Sequence, residues 1–178
     1  MRDITYILTS AVVFLLFILL PRYSSANDKL FYITQNGAMA CLARVMYEEA
    51  NTQPYVGRKA VVEVVINRAI ASNKHVCDII RERSQFSWVN KNTNVYRLTD
   101  SKKSERDVIT ITKEVVSGKQ VLSEDTKFFY SKSLASPAWA TKMDCIDIGD
   151  HTFCKERVRL DSVTGLPAMF NNVQARRQ

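Results

Sequence analysis

An unbroken apolar run at residues 11–20 constrains this chain more than any other feature, because it leaves no polar face for an ordinary surface helix. A short segment with Arg2 precedes the run, and Ser24-Ser25-Ala26 follows it with small residues at the −3 and −1 positions of a cleavage site. This layout is typical of a secretory signal, and we expect cleavage after Ala26. Retention as a membrane anchor is the alternative, since the looser run 4–20 reaches the lower length limit for crossing a bilayer.

Residues 27–178 are expected to form one exported domain, because they contain no repeat, low-complexity tract or long linker. Cleavage would remove two arginines and one aspartate, so the formal charge of +7 would fall by one unit. A positive domain favours an anionic partner, such as a cell wall or a membrane surface. The sequence has no base-reading motif or basic helix, and we therefore expect no nucleic-acid partner.

Four cysteines follow the apolar run, and an even number in an exported domain is typical of two disulfides. They are Cys41, Cys77, Cys145 and Cys154, which allow three connectivities. Cys145 and Cys154 flank a turn-prone segment suited to a hairpin, which would leave Cys41 and Cys77 as the second pair. A zinc site is a weaker interpretation, because no Cys-x-x-Cys pair occurs, and we expect neither a metal nor a cofactor.

Hydrophobic periodicity predicts mostly helices, followed by a short strand and a β-hairpin that would form a small sheet. A helix over 35–49 has one apolar stripe, and residues 56–71 are apolar on more than one face, which predicts a buried central helix. Further helices are expected over 76–83 and 101–117, the second with Ser104 and Asp107 as its capping box. The rest of the pattern predicts a loop over 84–88, a strand over 127–130, a loop through Trp139 and a hairpin over 145–154.

Glu49 is the most informative carboxyl group of the chain. It follows Met46 by three residues on the apolar stripe, at the C-terminal end of its helix, whereas Glu48 points toward the polar side. Burial and the carbonyl end of a helix both raise the pKa of a carboxyl group such as that of Glu49. A carboxylic acid that is still protonated near neutral pH can protonate a glycosidic oxygen. The alternative is a structural role, such as an ion pair with Arg68.

Six short blocks follow one another along the chain: Ala-Arg-Val-Met-Tyr-Glu-Glu-Ala at 43–50, Gly-Arg-Lys-Ala-Val-Val-Glu-Val-Val-Ile-Asn-Arg at 57–68, Gln-Phe-Ser at 85–87, Phe-Phe-Tyr at 128–130, Pro-Ala-Trp at 137–139 and Ile-Gly-Asp-His-Thr-Phe at 148–153. In this order they resemble the cell wall hydrolase family of the spore cortex-lytic enzymes, the SleB type, over about 43–153. The resemblance implies a peptidoglycan-cleaving domain with a mainly helical, lysozyme-like and lytic-transglycosylase-like α+β fold and one catalytic glutamate, which falls on Glu49. Two departures are Glu48, where the family usually has Gly, and Asn51-Thr52-Gln53, where it usually has Arg-Gly-Glu.

The expected reaction cleaves the bond between N-acetylmuramic acid and N-acetylglucosamine in glycan strands. Glu49 would protonate the bridging oxygen while an oxocarbenium-like centre develops. With one carboxyl group, attack by the muramic acid 6-hydroxyl gives a 1,6-anhydro product, and the resemblance favours this lytic transglycosylase outcome. Hydrolysis by a muramidase needs a second carboxylate, for which Asp144, Asp147 and Asp150 are candidates, although turn or hairpin roles are favoured for all three.

Substrate binding is predicted for residues whose aromatic faces suit sugar rings or whose polar groups suit hydroxyl and acetamido groups. These residues are Gln85, Phe86, Tyr130, Trp139 and His151. Core packing is the competing role for Phe86 and Trp139, and fixing the hairpin is the competing role for His151. Asn67 and Arg68 are expected to cap the second helix and to brace Glu49.

Two other classes of function stay open. A cell-wall cysteine endopeptidase would use Cys41 as nucleophile and His151 as base, although a cysteine that is oxidised and lies within a helix opposes this hypothesis. A non-enzymatic wall-binding module is the other class. We expect a monomer in the periplasm or cell wall that touches the membrane only through its N-terminal segment. Bacterial wall remodelling and lysis by a phage endolysin both fit the sequence.

Overall fold

The computed structural model describes residues 26–83, 85–90, 92–97 and 101–158, so the predicted signal segment lies outside the described residues except for Ala26. The helices are α1 (residues 26–34), α2 (Ala38–Ala50), α3 (Tyr55–Ser72), α4 (Val76–Arg81) and α5 (Lys102–Val116). The strands β1 (Thr126–Ser131), β2 (Met143–Ile148) and β3 (His151–Glu156) follow, with a 3₁₀ helix (Ala138–Lys142) after β1. The predicted α+β class is confirmed.

Helix α1 is an element that the periodicity did not indicate. Its Tyr32 is buried, and the Tyr32 hydroxyl donates a hydrogen bond of 2.7 Å to Asn73 Oδ1 just after α3. Gly37 separates α1 from α2 with a φ of 78°, and a Cβ there would lie 2.7 Å from the ring of Tyr96. Because this position requires a glycine, α2 begins at Ala38 and not at residue 35 as predicted.

Helix α3 is the buried central helix that the sequence predicts, and residues 57–67 are all buried. One side of α3 packs with the other helices in a helical cluster that includes Met46, Ile66 and Phe86. Its other side packs with the sheet, where Val61 and Phe153 belong to a smaller sheet cluster. The central position of α3 thus joins the helical part of the domain to the sheet.

The N-terminus of α5 differs from the predicted capping box. Ser101 is the cap, and its side-chain oxygen accepts a hydrogen bond of 3.2 Å from the backbone N–H of Ser104. Ser104 lies inside the helix and is buried, while Asp107 pairs with Arg58 of α3 at 2.9 Å. The predicted box of Ser104 with Asp107 is wrong, because the helix begins at Lys102 and Ser104 therefore already lies within its first turn.

The three strands form one antiparallel sheet in the order β1-β3-β2. The predicted hairpin is confirmed as β2 and β3, and β1 pairs with β3 so that Phe129 faces Phe153 in the register. Phe129, Phe153 and Ile148 pack toward α3, and we call this side the inner face. Phe128 and Tyr130 alternate with Phe129 along β1 and therefore lie on the outer face.

The two disulfides confirm the pairing that the hairpin argument favoured among the three possible connectivities. Cys41 of α2 is bonded to Cys77 of α4, and Cys145 of β2 is bonded to Cys154 directly opposite on β3. The described residues include no free cysteine. Cys41 therefore has no thiol, and the cysteine endopeptidase hypothesis loses its nucleophile.

Candidate active site

Glu49 lies in the last turn of α2 with its side chain half-buried. Burial is the largest influence on the pKa of Glu49 and raises it, while a hydrogen bond from Trp88 lowers it, the like charge of Glu48 raises it and Arg68 lowers it. Glu48 turns away, as predicted, and pairs with Arg44 at 2.5 Å. The part of the prediction that rested on burial is confirmed: the pKa of Glu49 lies above its ordinary value.

Trp88 is the nearest hydrogen-bonding partner of Glu49, and the sequence patterns did not single it out. Its indole Nε1 donates a hydrogen bond of 2.8 Å to Glu49 Oε1. Trp88 follows Gln85 and Phe86 in the predicted 84–88 loop, and it is the only donor-bearing aromatic residue of that loop. An indole donor directly beside the Gln-Phe-Ser block was the signal that could have identified it.

Arg68 lies near Glu49 but does not form the ion pair considered as its alternative role. Its Nε donates to the Lys127 carbonyl at 2.5 Å, and its guanidinium lies 6.0 Å from the centre of the Phe86 ring. Among the ion pairs of the described residues, none joins Glu49 to Arg68, although the positive charge of Arg68 lowers the pKa of Glu49. Arg68 thus ties the start of β1 to α3 and supplies a positive charge close to the carboxyl group.

Asn67 has a similar structural role, and neither it nor Arg68 caps α3. The Asn67 amide Nδ2 donates to the carbonyl oxygens of Ser123 and Thr126, each at 3.1 Å. Asn73 caps the helix, with a φ of 50° and a backbone N–H that donates to the last carbonyls. The capping prediction is wrong because the helix continues past Arg68 to Ser72, which places both residues in its interior.

Phe86 and His151 are connected to Glu49 through aromatic contacts. The Phe86 ring centre lies 6.0 Å from that of Trp88 and 6.4 Å from that of Phe129, and Phe129 lies 5.5 Å from the His151 ring. Phe86 is 4% exposed and His151 is 5% exposed, so both are mainly packed against their neighbours. Burial lowers the pKa of His151, which Asp150 partly opposes.

Gln85, Tyr130 and Trp139 have different surroundings. Gln85 is exposed at the surface of the loop beside Phe86. Trp139 is exposed and forms a cluster with the partly buried Tyr130 and Phe128 on the outer face of the sheet, and the Tyr130 and Phe128 ring centres lie 5.7 Å and 5.8 Å from that of Trp139. The structure therefore connects Phe86 and His151 to Glu49 by contacts, and it places Tyr130 and Trp139 in a separate cluster.

The three candidate second carboxylates all have structural partners in or beside the hairpin. Asp144 pairs with Arg157 at 3.0 Å, and Asp147 accepts a hydrogen bond of 2.6 Å from the Thr152 hydroxyl. The hydrogen bond from Thr152 is the largest influence that lowers the pKa of Asp147. Asp150, in the β2–β3 turn, accepts a hydrogen bond from Gln53 in the connection between α2 and α3. The structure therefore gives these three carboxylates the turn and hairpin roles that the sequence favoured.

Gln53 links the α2–α3 connection to the β2–β3 turn. Its Nε2 donates to Asp150 Oδ2 at 2.8 Å, and its Oε1 accepts from the Asp150 backbone N–H at 3.0 Å. Gly149 in that turn has a φ of 61°, which favours a glycine, and a Cβ there would lie 2.4 Å from the same Oε1. The Gln53 amide thus uses both its donor and its acceptor on Asp150.

Comparisons with known proteins cover most of these elements. The sequence pattern described as cell wall hydrolase matches residues 52–154, from just after Glu49 to the end of the sheet cluster. The catalytic domain of the germination-specific lytic transglycosylase SleB from Bacillus anthracis is similar in structure, with a TM-score of 0.56 and 23% identity, over 68% of this chain and 96% of that chain. The catalytic domain of the Bacillus cereus SleB protein gives a TM-score of 0.56 and 26% identity, over 68% of this chain and 91% of that chain. No curated protein matches the sequence. Because the family pattern spans more than half of its residues, this chain belongs to the cell wall hydrolase family.

Proposed function

We propose that this protein is a lytic transglycosylase that cleaves peptidoglycan glycan strands, with Glu49 as its acid–base residue. The observation that carries the proposal is the Glu49 carboxyl group, which is half-buried and bonded by Trp88 at 2.8 Å. Burial raises the pKa of Glu49 and so favours the protonated form that a general acid needs. The structurally similar Bacillus anthracis domain is described as a lytic transglycosylase.

The proposed reaction has two proton transfers at one carboxyl group. Glu49 gives its proton to the oxygen between the two sugars, and the bond from that oxygen to the muramic acid C1 breaks with its electron pair on the oxygen. The muramic acid 6-hydroxyl then bonds to C1 and returns its proton to Glu49. The products are a 1,6-anhydro sugar and a strand with a free 4-hydroxyl, and no water is consumed.

Transglycosylation is favoured over hydrolysis by the surroundings of the other carboxylates. The three aspartates considered for a hydrolytic role hold Arg157, Thr152 and Gln53 in or beside the hairpin. Glu48 is the nearest carboxylate in sequence and is paired with Arg44. A carboxylate held by such partners is poorly placed to activate a water, so an internal hydroxyl is the better nucleophile.

Mass spectrometry of fragments released from purified sacculi tests this proposal. Wild-type protein should release anhydro-muropeptides, and Glu49→Gln should reduce the release by about 10²- to 10⁴-fold, since general acid–base catalysis has this magnitude. Glu156→Gln is the matched control, because it makes the same change at an exposed residue of β3 and should behave as wild type. Reducing muramic acid ends would identify a muramidase instead. Binding without any release would identify a wall-binding module, and full activity in Glu49→Gln would overturn the assignment of Glu49.

Exposure divides the predicted substrate residues into two groups. Gln85 and Trp139 are exposed and able to touch a glycan, and Tyr130 packs against Trp139. Phe86 and His151 are buried, and we infer that they support the site through their packing. Separate substitutions of Gln85 and Phe86 distinguish these roles, because loss of a glycan contact changes substrate affinity while loss of packing changes stability.

Export of the protein is also part of the proposal. Two disulfides within the domain fit an oxidising compartment such as the periplasm. Within the described residues no helix has the length and apolar character to cross a bilayer, and the run 11–20 lies outside them. N-terminal sequencing of the exported protein tests the segment: a mature form that begins at Asn27 supports cleavage, and an intact form in the membrane fraction supports an anchor.

A further inference from the structure

Trp88 reaches Glu49 from the loop after α4, and the loop is closed by its own hydrogen bonds. The backbone N–H of Val89 donates to the Phe86 carbonyl at 3.2 Å, and the Thr93 hydroxyl donates to the Trp88 carbonyl at 3.2 Å. The Trp88 ring is partly buried against the helical cluster. These contacts fix the backbone on both sides of Trp88. The indole that donates the 2.8 Å hydrogen bond to Glu49 is therefore attached to a well-positioned backbone.

The indole ring is held by groups other than the carboxyl group that it binds. The Arg44 guanidinium lies 5.7 Å from the ring centre, and Arg44 is held in turn by Glu48 at 2.5 Å on the same helix. The Phe86 ring lies 6.0 Å from Trp88 and is itself 4% exposed. A cation and a buried ring thus contact Trp88 from α2 and from the core, which limits the rotation of the indole.

The indole N–H can donate a hydrogen bond and cannot accept one. It therefore binds whichever Glu49 oxygen has the better lone pair, which in a carboxylic acid is the carbonyl oxygen and not the hydroxyl oxygen. We propose that Trp88 is a positioning residue that holds Glu49 Oε1 as the acceptor, so that Oε2 alone carries the proton given to the glycosidic oxygen and taken back from the 6-hydroxyl. This inference rests on the proposed function and adds the residue that decides which oxygen reacts.

The same bond has an energetic consequence for the reaction. When Oε2 releases its proton, Glu49 becomes negative, and a hydrogen bond to a charged acceptor is stronger than one to a neutral acceptor. Trp88 therefore stabilises the carboxylate that forms during bond cleavage, and its hydrogen bond lowers the pKa of Glu49 against the effect of burial. A tryptophan that only filled space would have neither effect.

Replacement of one ring atom distinguishes a Trp88 that positions Glu49 by its hydrogen bond from a Trp88 that only fills space. Trp88→β-(3-benzothienyl)alanine keeps the size and shape of the ring but has sulfur in place of the N–H. We expect kcat to fall about 10- to 100-fold, as for the loss of a hydrogen bond to a charged group, with little change in KM. Because the bond lowers the pKa of Glu49, its loss raises that pKa, and the alkaline limb of the kcat profile should move to higher pH. Thermal unfolding of the variant checks that packing is kept.

The indole N–H signal of Trp88 gives a second measurement that needs no altered ring. The chain has two tryptophans, so a Trp139→Phe variant assigns the Trp88 signal in a ¹⁵N-labelled sample. In wild type the Trp88 signal should shift with pH as Glu49 titrates, and the Trp139 signal should not follow that titration. In Glu49→Gln the pH-dependent shift of Trp88 should disappear.

Each outcome decides the proposal. A lower kcat with the alkaline limb at higher pH supports it, together with an indole signal that titrates only when Glu49 is present. An unchanged kcat, a lower kcat with an unmoved pH profile, or an indole signal that ignores Glu49 overturns it. If wild type releases anhydro-muropeptides and Glu49→Gln does not, the proposed function stands whatever Trp88 does. If Glu49→Gln keeps full activity, the proposed function fails even where the indole signal titrates.

Discussion

Strand β1 separates two aromatic clusters. Adjacent residues of the strand belong to different clusters and have different surroundings. On the inner face, Phe129 contacts the rings of Phe86, His151 and Phe153 and is connected to Glu49 through Trp88. On the outer face, Phe128 and Tyr130 contact Trp139, which is 38% exposed. Alternation of side chains along a strand produces this division, so an aromatic block does not by itself reveal which of its residues packs toward the core.

The two disulfides also differ from each other, in their burial and in the length of chain that they close. Cys41 and Cys77 are fully buried and join two helices across 36 residues of chain. Cys145 and Cys154 join neighbouring strands across 9 residues, and Cys145 is exposed. The first disulfide constrains the helical core that carries Glu49, and the second reinforces a hairpin that is already paired by its backbone.

Removal of a disulfide should give the largest loss in the free energy of unfolding. Replacement of Cys41 and Cys77 by alanine should lower the free energy of unfolding by about 4 kcal/mol, and the same change at Cys145 and Cys154 by about 2.5 kcal/mol, because a longer closed loop restricts the unfolded chain more. Urea denaturation of both variants measures the difference. Equal losses would show that the comparison by loop length does not hold for this domain.

Truncation of the two neighbouring phenylalanines of β1 tests the comparison of faces directly. Phe129→Ala should lower the free energy of unfolding by about 3 kcal/mol, because it leaves a cavity between Phe86 and Phe153. Phe128→Ala should cost about 1 kcal/mol, since its ring contacts a partly exposed cluster. The two thermal unfolding curves serve as controls for each other. A larger loss for Phe128→Ala would reverse the assignment of inner and outer faces.

Trp139 tests whether the outer cluster meets the glycan. Trp139→Ala should raise KM for soluble glycan fragments about three- to tenfold, the magnitude of one aromatic contact, and should leave kcat nearly unchanged. Steady-state kinetics with wild type beside the variant provide the measurement. A KM equal to that of wild type would make the outer cluster a structural feature that lies away from the bound glycan.

The smallest expected effect is a gain of stability in the Glu49→Gln variant. Burial raises the pKa of Glu49 above its ordinary 4.5, so the folded state binds this proton more tightly than the unfolded state. The stability that this adds is fully present below the unfolded pKa and is lost as pH rises through the folded pKa. The amide of the Glu49→Gln side chain would keep an oxygen for Trp88 and have no charge to desolvate.

Urea denaturation across pH measures this effect. The stability of Glu49→Gln relative to wild type should increase from about pH 4 toward neutral pH and should not increase further above the folded pKa of Glu49. A difference that does not change with pH would show that Glu49 titrates alike in the folded and unfolded states. Glu156→Gln is again the control, because its exposed carboxyl group belongs to neither cluster.

Much of the fold followed from local patterns. The apolar periodicity of α2 and the all-round apolar surface of α3 predicted both helices, and the turn between Cys145 and Cys154 predicted the hairpin. The first residues of α2 and α5 were less predictable. The start of α2 depends on the positive φ of Gly37, and the start of α5 depends on one hydrogen bond to the Ser101 side chain. Helix α1 gave no clear periodic signal, because one of its buried residues is Lys29 while the apolar Leu30 and Phe31 are exposed.

The site was predictable only in part. The position of Glu49 on an apolar stripe indicated a buried carboxyl group, because residues three and four apart share one face of a helix. Trp88 was missed because its contact with Glu49 joins residues 39 apart in sequence, and no local pattern reports such a contact. Arg68 was expected to cap α3 and instead bonds to Lys127, since the carbonyl that needs a donor belongs to another element.

The sequence by itself determined the main helices and the hairpin, the cysteines available for two disulfides and the position of Glu49 on the apolar stripe of its helix, because each depends on residue type and local spacing. Only the tertiary structure decided which face of β1 packs toward α3 and which side chain binds Glu49. These depend on elements that are distant in sequence, and their relative positions are set by the packing of the sheet and the other helices on α3.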